Sequence, residues 1–328
     1  MCDDNAPDRR LAKLSQRKVV AAKRRRGGQL RGEFAGKTQS YQEAPFMDRR
    51  QFLASSIVPV AATAVSVGSA LGATSARGSS AASGQQSANA ATSAARQYYA
   101  LRRYDLRTGP QKKLTDDYLK NAFIPALNRL GVTPVGVFNV SIGVGGPSMY
   151  VLTPGNSAEV LLTAEAKLSQ DADYLKAAGD FLNAPAKEPA YDRLEISLMQ
   201  ALESAPTLTV PEATASHGPR VFELRTYESS SDLDHQRKVE QMNAGEVEIF
   251  VKSGFWPVFF GDTLIGTRMP NVTYMIGFES LADRDKHWNA FFTAPETRTL
   301  FGNPRYTFEG IVANVNNSIL TPAPYSQI

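Results

Sequence analysis

The chain has 328 residues, enough for two domains of ordinary size. Its formal charge of +4 is unevenly spread: residues 1–50 carry 13 Lys/Arg against 6 Asp/Glu, and the remainder carries 23 against 26 (36 less 13, 32 less 6). The body is therefore mildly acidic, which argues against a nucleic-acid footprint there, and with Cys2 as its sole cysteine the chain has no disulfide framework, cysteine metal cluster or thiol nucleophile in the body.

Residues 1–46 are polar, Arg-rich around Lys23 to Arg26 and without an apolar period. They are expected to be disordered, or an over-extended start with Met47 as the true one; on charge alone a nucleic-acid arm fits as well. Residues 47–76 are expected to be a twin-arginine signal peptide. Arg49 and Arg50 stand before Phe52 and Leu53, then an uncharged Ala/Ser/Val run leads to small residues around Ala70 to Ala76. A retained membrane anchor is the alternative, since the run approaches spanning length. The export reading places the protein in a bacterial periplasm or outside the cell, meeting a membrane only through its signal. Residues 77–97 have no large apolar side chain and read as a flexible linker.

From Tyr98 onward the chain repeats itself. Tyr99-Ala-Leu-Arg-Arg-Tyr104 answers Phe222-Glu-Leu-Arg-Thr-Tyr227, and Gly131-Val-Thr-Pro134 answers Gly254-Phe-Trp-Pro257, both at an offset of 123 (225 − 102 and 254 − 131). In residues 98–202 the predicted order is a strand to about Leu106, a helix Leu114–Leu130 that Pro125 should kink, strands Val135–Ser141 and Met149–Thr153 around the turn residues 143–147, one long helix Ala158–Leu182, and a strand Tyr191–Leu202 whose spacing also permits a helix. Residues 203–219 are a Pro-punctuated linker. In residues 220–316 the order recurs: strand Val221–Tyr227, helix Asp232–Ser253 capped by Ser231, strands Val258–Ile265 and Val272–Phe278, helix Leu281–Phe292, and a strand from about Arg305 to Asn314. Residues 317–328 are a tail. Each unit is β-α-β-β-α-β, the ferredoxin-like plan, so the fold class is α+β.

Phe222-Glu-Leu-Arg-Thr-Tyr227, Gly254-Phe-Trp-Pro257 and Ala282-Asp-Arg-Asp-Lys-His-Trp-Asn-Ala-Phe291 resemble the NIPSNAP family, the second repeat more strongly than the first. The resemblance implies a dimeric α/β barrel, here closed within one chain by the two repeats. It carries no settled catalytic residues. Relatives in the barrel group include monooxygenases and haem enzymes, so it implies a pocket without naming a reaction.

Alternation sorts strand residues by face. Glu223, Arg225 and Tyr227 share one face of their strand, and Arg102 and Tyr104 take the matching positions of the first copy. With Leu101 and Leu224 assigned to the helices, the Arg/Tyr face is expected to line the barrel interior. There Arg102, Tyr104, Glu223, Arg225, Tyr227, Trp256 and Tyr274 form a candidate pocket for a small, anionic or carboxylate-bearing molecule, with an internal Glu223–Arg225 pair as the competing reading. His217, His235 and His287 lack metal-site spacing, residues 143–147 do not open a helix as a phosphate loop would, and Glu165, Asp171, Asp173 and Asp180 read as a solvated helix face, so no cofactor or metal is expected. The expected function is small-molecule binding, with a cofactor-independent enzyme within its scope. The alternative is a protein-interaction module with a filled barrel, and a homo-oligomer fits either.

Overall fold

The computed structural model describes residues 95–328, apart from Thr108 and Val144. The expectations for residues 1–46 and 47–76, and for all but the end of 77–97, lie outside the described residues. That end is not free chain. The Gln97 amide donates to the Pro206 carbonyl at 2.8 Å and its carbonyl accepts from Ala201 at 2.8 Å, while its side chain accepts from the Leu208 amide at 2.8 Å.

The first unit runs β1 (Tyr98–Asp105), α1 (Pro110–Tyr118), α2 (Ile124–Arg129), β2 (Gly136–Ile142), β3 (Ser148–Gly155), α3 (Ala158–Leu168), α4 (Ala172–Ala177), α5 (Gly179–Leu182) and β4 (Arg193–Ala201). The second runs β5 (Val221–Glu228), α6 (Asp232–Gln241), α7 (Val247–Lys252), β6 (Trp256–Ile265), β7 (Asn271–Phe278), α8 (Leu281–Thr293), α9 (Pro295–Phe301), α10 (Phe308–Ile311) and β8 (Asn314–Pro322). The starts of β1/β5, α2/α7, β3/β7 and α3/α8 are each 123 apart; those of β2/β6 differ by 120 (256 − 136) although their ends keep 123 (265 − 142), and those of β4/β8 by 121 (314 − 193). Serines open three of the helices. Ser157, Ser231 and Ser280 each accept from an amide three residues on, as extended-backbone caps do.

Four expectations need correction. The first helix of each unit is a broken one. A π-helical turn spans Leu119–Phe123 in one unit and Met242–Glu246 in the other, at the same offset of 123, and each joins its two α segments. Pro125 sits at the start of α2, where its missing N–H costs little. The predicted long helix 158–182 is three short helices, the first ending at Leu168 and the second, Asp171-capped, starting at Ala172. Residues 305–314 are mostly helical turns, and the last strand lies further on, at Asn314–Pro322. Much of the expected tail is thus strand, and beyond it Ala323, Ser326 and Ile328 are buried.

The strands close a barrel in the order β1-β3-β2-β8-β5-β7-β6-β4, every pair antiparallel. Within it each unit keeps the ferredoxin-like order, with its first and third strands central. The last strand of each unit closes onto the second strand of the other, β8 on β2 and β4 on β6. The fold is therefore the intrachain α/β barrel of two ferredoxin-like units. Four antiparallel steps separate β1 from β5, so the two strands run the same way. Corresponding ends of both repeats therefore meet at the same mouth. Outside the barrel, Phe123, Leu127, Leu161 and Phe181 cover the first sheet, and Phe250, Trp288 and Phe291 cover the second. Inside, Tyr99, Phe138, Phe222, Phe259, Met275 and Leu320 make a third core.

Candidate functional site

The inner core determines which face of each strand looks inward. On β1 these are Tyr99 and Leu101, and on β5 Phe222 and Leu224. Arg102, Tyr104, Glu223, Arg225, Tyr227 and Tyr274 consequently lie on the outer face, beneath the helices, contrary to the interior expected for them. The reason is that the lumen, too, is apolar through most of its depth, so Leu101 and Leu224 pack there. The structure does not bring the two copies together either: Tyr104 belongs to the first outer core and Tyr227 to the second.

Each arginine finds protein partners instead. Arg102 pairs with Glu165 on α3 and lies 5.1 Å from the Phe123 ring centre. Glu223, with its side chain fully buried, accepts from Arg225 at 2.7 Å, from Arg284 at 2.7 and 3.0 Å and from the Trp288 indole at 2.9 Å. The internal pair is therefore a larger cluster than the sequence indicated. Burial alone would raise the Glu223 pKa, but Arg225, Arg284 and Trp288 outweigh it and hold the carboxyl below its ordinary value. Arg225 also stacks 4.7 Å from the Trp288 ring and donates to the Tyr227 hydroxyl at 3.2 Å, which accepts from Tyr274 at 2.8 Å. Position 165 of the first repeat corresponds to 288 of the second, so the matching arginines meet a carboxylate in one and an indole in the other.

The lumen itself is sealed in its middle by ring pairs, Tyr99 with Phe259 at 5.2 Å and Phe138 with Phe222 at 5.0 Å. Trp256 pairs with Gly277 and stands on the inward face near the start of β6, half-buried. Toward the other mouth, where β1 and β5 end, the lumen opens into a cavity of about 370 Å³. Leu101, Met199 and Leu224 form its floor, and Arg103, Tyr150, Glu195, Ser197, Thr226 and Arg268 are among its walls. This volume is of the size that holds a small ligand. A depression of similar volume between Arg237 and Ile311 is lined from one helical edge of the second unit alone.

The walls of the cavity differ in kind. Register puts Tyr150, Arg103 and Glu195 in one row across β3, β1 and β4. The matching row across β7, β5 and β8 is Thr273, Thr226 and Asn316. One repeat thus supplies a charged and aromatic wall, the other a neutral wall whose Thr226 and Thr273 hydroxyls bond at 2.9 Å. Burial raises the Tyr150 pKa; Arg103 and Arg268 pull it down, and Asp105 and Glu195 push it up. None of these residues was singled out from the sequence. The signal was present in the alternate face of each strand, Tyr99-Leu101-Arg103 and Phe222-Leu224-Thr226, and required the apolar face to be assigned to the lumen. Among the described residues, no group of His, Cys, Asp and Glu is arranged to hold a metal ion, and no helix is long and apolar enough to cross a membrane.

Solved structures are similar to the chain in part. A monooxygenase-like protein from Lactobacillus acidophilus NCFM superposes with a TM-score of 0.47 at 11% identity, over 69% of this chain and 94% of that one. Chlorite dismutase from Candidatus Nitrospira defluvii gives 0.39 at 9% identity, over 70% and 92%. An uncharacterised NIPSNAP-like domain protein from Burkholderia xenovorans gives 0.30 at 19% identity, covering 34% of this chain and 90% of its own. By sequence no curated protein matches the chain, whereas its second repeat, residues 222–327, matches the NIPSNAP family model.

Proposed function

We propose that this protein binds a small molecule in the cavity at the open mouth of its barrel. The observation that carries the reading is a cavity of about 370 Å³ whose floor is apolar and whose walls come from both repeats. An apolar floor supplies affinity by area, and a few convergent polar groups above it fix orientation. Thr226 lines this cavity and is only partly buried, so Thr226→Trp fills it with little loss elsewhere. The test is native mass spectrometry on the full chain purified from its own host. A co-purifying mass that disappears in Thr226→Trp, with the melting temperature kept, supports the proposal; a mass retained by the filled variant overturns it.

A protein-interaction module is the second reading, favoured by one observation. Ile142 and Ile265 occupy matching positions (265 − 142 = 123) at the ends of β2 and β6, and are 59% and 63% exposed. They flank the same mouth, each beside a register irregularity in its strand pairing. If self-association through this rim is the function, Ile142→Ser with Ile265→Ser converts an oligomer to a monomer in light scattering. We also propose that the protein is exported through a twin-arginine signal at Arg49 and Arg50, on the motif Arg49-Arg50-Gln51-Phe52-Leu53 and the uncharged run after it.

A further inference from the structure

Three charged side chains line the cavity: Arg103, Arg268 and Glu195. Both guanidiniums are already engaged by carboxylates of the barrel end. Arg103 Nε lies 2.9 Å from Asp105 Oδ1, and its Nη2 rests against the backbone of Gly145, where an added Cβ would come within 2.6 Å of it. Arg268 lies 3.4 Å from Glu228 and donates to Asn316. Asp105 and Glu228 are equivalents at the offset of 123 (228 − 105), so each repeat brings one carboxylate to neutralise one arginine. Glu195 differs. It is partly buried, its register partner Arg103 is turned to Asp105, and among the described residues its carboxylate has neither a hydrogen bond nor an ion pair. Arg193, two residues earlier on the same face of β4, is exposed and makes no ion pair with it. The formal charges of Arg103, Arg268, Asp105 and Glu228 cancel, and the charge left facing the cavity is the Glu195 carboxylate.

Resting on the reading of the cavity as a ligand site, we infer that its ligand is a small amphiphilic amine, whose ammonium meets Glu195 while its apolar body lies on Leu101, Met199 and Leu224. A half-buried carboxylate without a partner binds a cationic donor more strongly than a neutral one, and repels an anion. The anionic ligand expected from the arginines alone is disfavoured, because both arginines lining the cavity already have their counter-charge. The neutral row Thr273, Thr226 and Asn316 opposite offers no competing charge, so Glu195 sets the polarity of the site.

The test uses three probes of one shape with the full chain at neutral pH: 2-phenylethylamine, 2-phenylethanol and 3-phenylpropionate, titrated by NMR. The amine is expected to bind roughly tenfold or more tightly than the other two. In Glu195→Gln the preference for the amine over the alcohol is lost, and raising the salt concentration narrows it in the unaltered chain. Equal affinities, a preference for the carboxylate, or a preference that survives Glu195→Gln overturns the inference and leaves the cavity reading in place. Binding that persists in Thr226→Trp, or no binding by any of the three probes, overturns the cavity reading and the inference with it.

Discussion

The Glu223 side chain accepts four hydrogen bonds in the second repeat. Two guanidiniums and an indole N–H converge on its two oxygens, so removing it leaves two partly buried cations facing each other. Removing Arg225 leaves Arg284 to neutralise the carboxylate. Glu223→Gln should therefore destabilise more than Arg225→Met, by about 3–5 kcal/mol for the first, measured by urea denaturation. The reverse ranking would mean that Arg284 contributes nothing. The sign of the pH dependence follows from the same contacts. A carboxyl held below its ordinary value of 4.5 in the folded state contributes stability that is fully present above that value and is lost as pH falls through the lower, folded one. Acid denaturation of the native protein should be steeper there than that of Glu223→Gln.

At the scale of elements, the π-helical turns have an observable purpose in the second repeat. Lys238 and Glu246 are eight residues apart, which is about 12 Å along a straight helix, yet their charged groups meet at 2.6 Å with both side chains buried. Gly245, at φ +134°, breaks the helix between them. No atom would obstruct a Cβ there, so any cost of Gly245→Ala is backbone strain, about 1–3 kcal/mol. It should lower the melting temperature and weaken the Lys238–Glu246 contact. An unchanged melting temperature would show that the kink is not needed. Much of this layer of structure was legible beforehand: the repeat, the strand order within each unit, the Ser231 cap and the helix from Leu281. The last strand was misplaced because Asn314-Val-Asn-Asn-Ser318 is poor in β-branched and aromatic residues, while Arg305 to Val312 reads more like a strand than it behaves. The face of β1 and β5 was reversed for another reason. Alternation separates two faces but does not say which looks inward, and both the lumen and the helix layers are apolar here. The pairing of Arg103 with Asp105, which isolates Glu195, depends on three-dimensional proximity that no local pattern contains.

For the whole molecule, the limits of the folded unit are testable at both ends. A chain beginning at Ala95 keeps the Arg96 and Gln97 contacts, whereas one beginning at Tyr98 loses the hydrogen bonds of Gln97 to Pro206, Ala201 and Leu208. At roughly 1 kcal/mol each, the shorter chain should melt several degrees lower. Equal melting would show those bonds to be dispensable. Deleting residues 317–328 removes six of the nine residues of β8 and should leave the barrel unclosed, seen as loss of the cooperative transition. For export, Arg49→Lys with Arg50→Lys should leave precursor in the cytoplasm on fractionation, and arrival of that variant in the periplasm would refute the signal.

The pairing of β2 with β8 has a further consequence, in time rather than space. Phe138 waits for Pro322, 184 positions later (322 − 138), before its strand has a neighbour on that side. While the chain is being made, the first unit can assemble β1 to β4 with its helices, but the β2 edge of its sheet stays open until nearly the last residue has emerged. Contacts this distant in sequence form late and slowly, and an open edge meanwhile offers its amides and carbonyls to any other strand. The hazardous species for this protein is therefore a half-made one, and its refolding yield should fall with concentration more steeply than its native solubility would suggest.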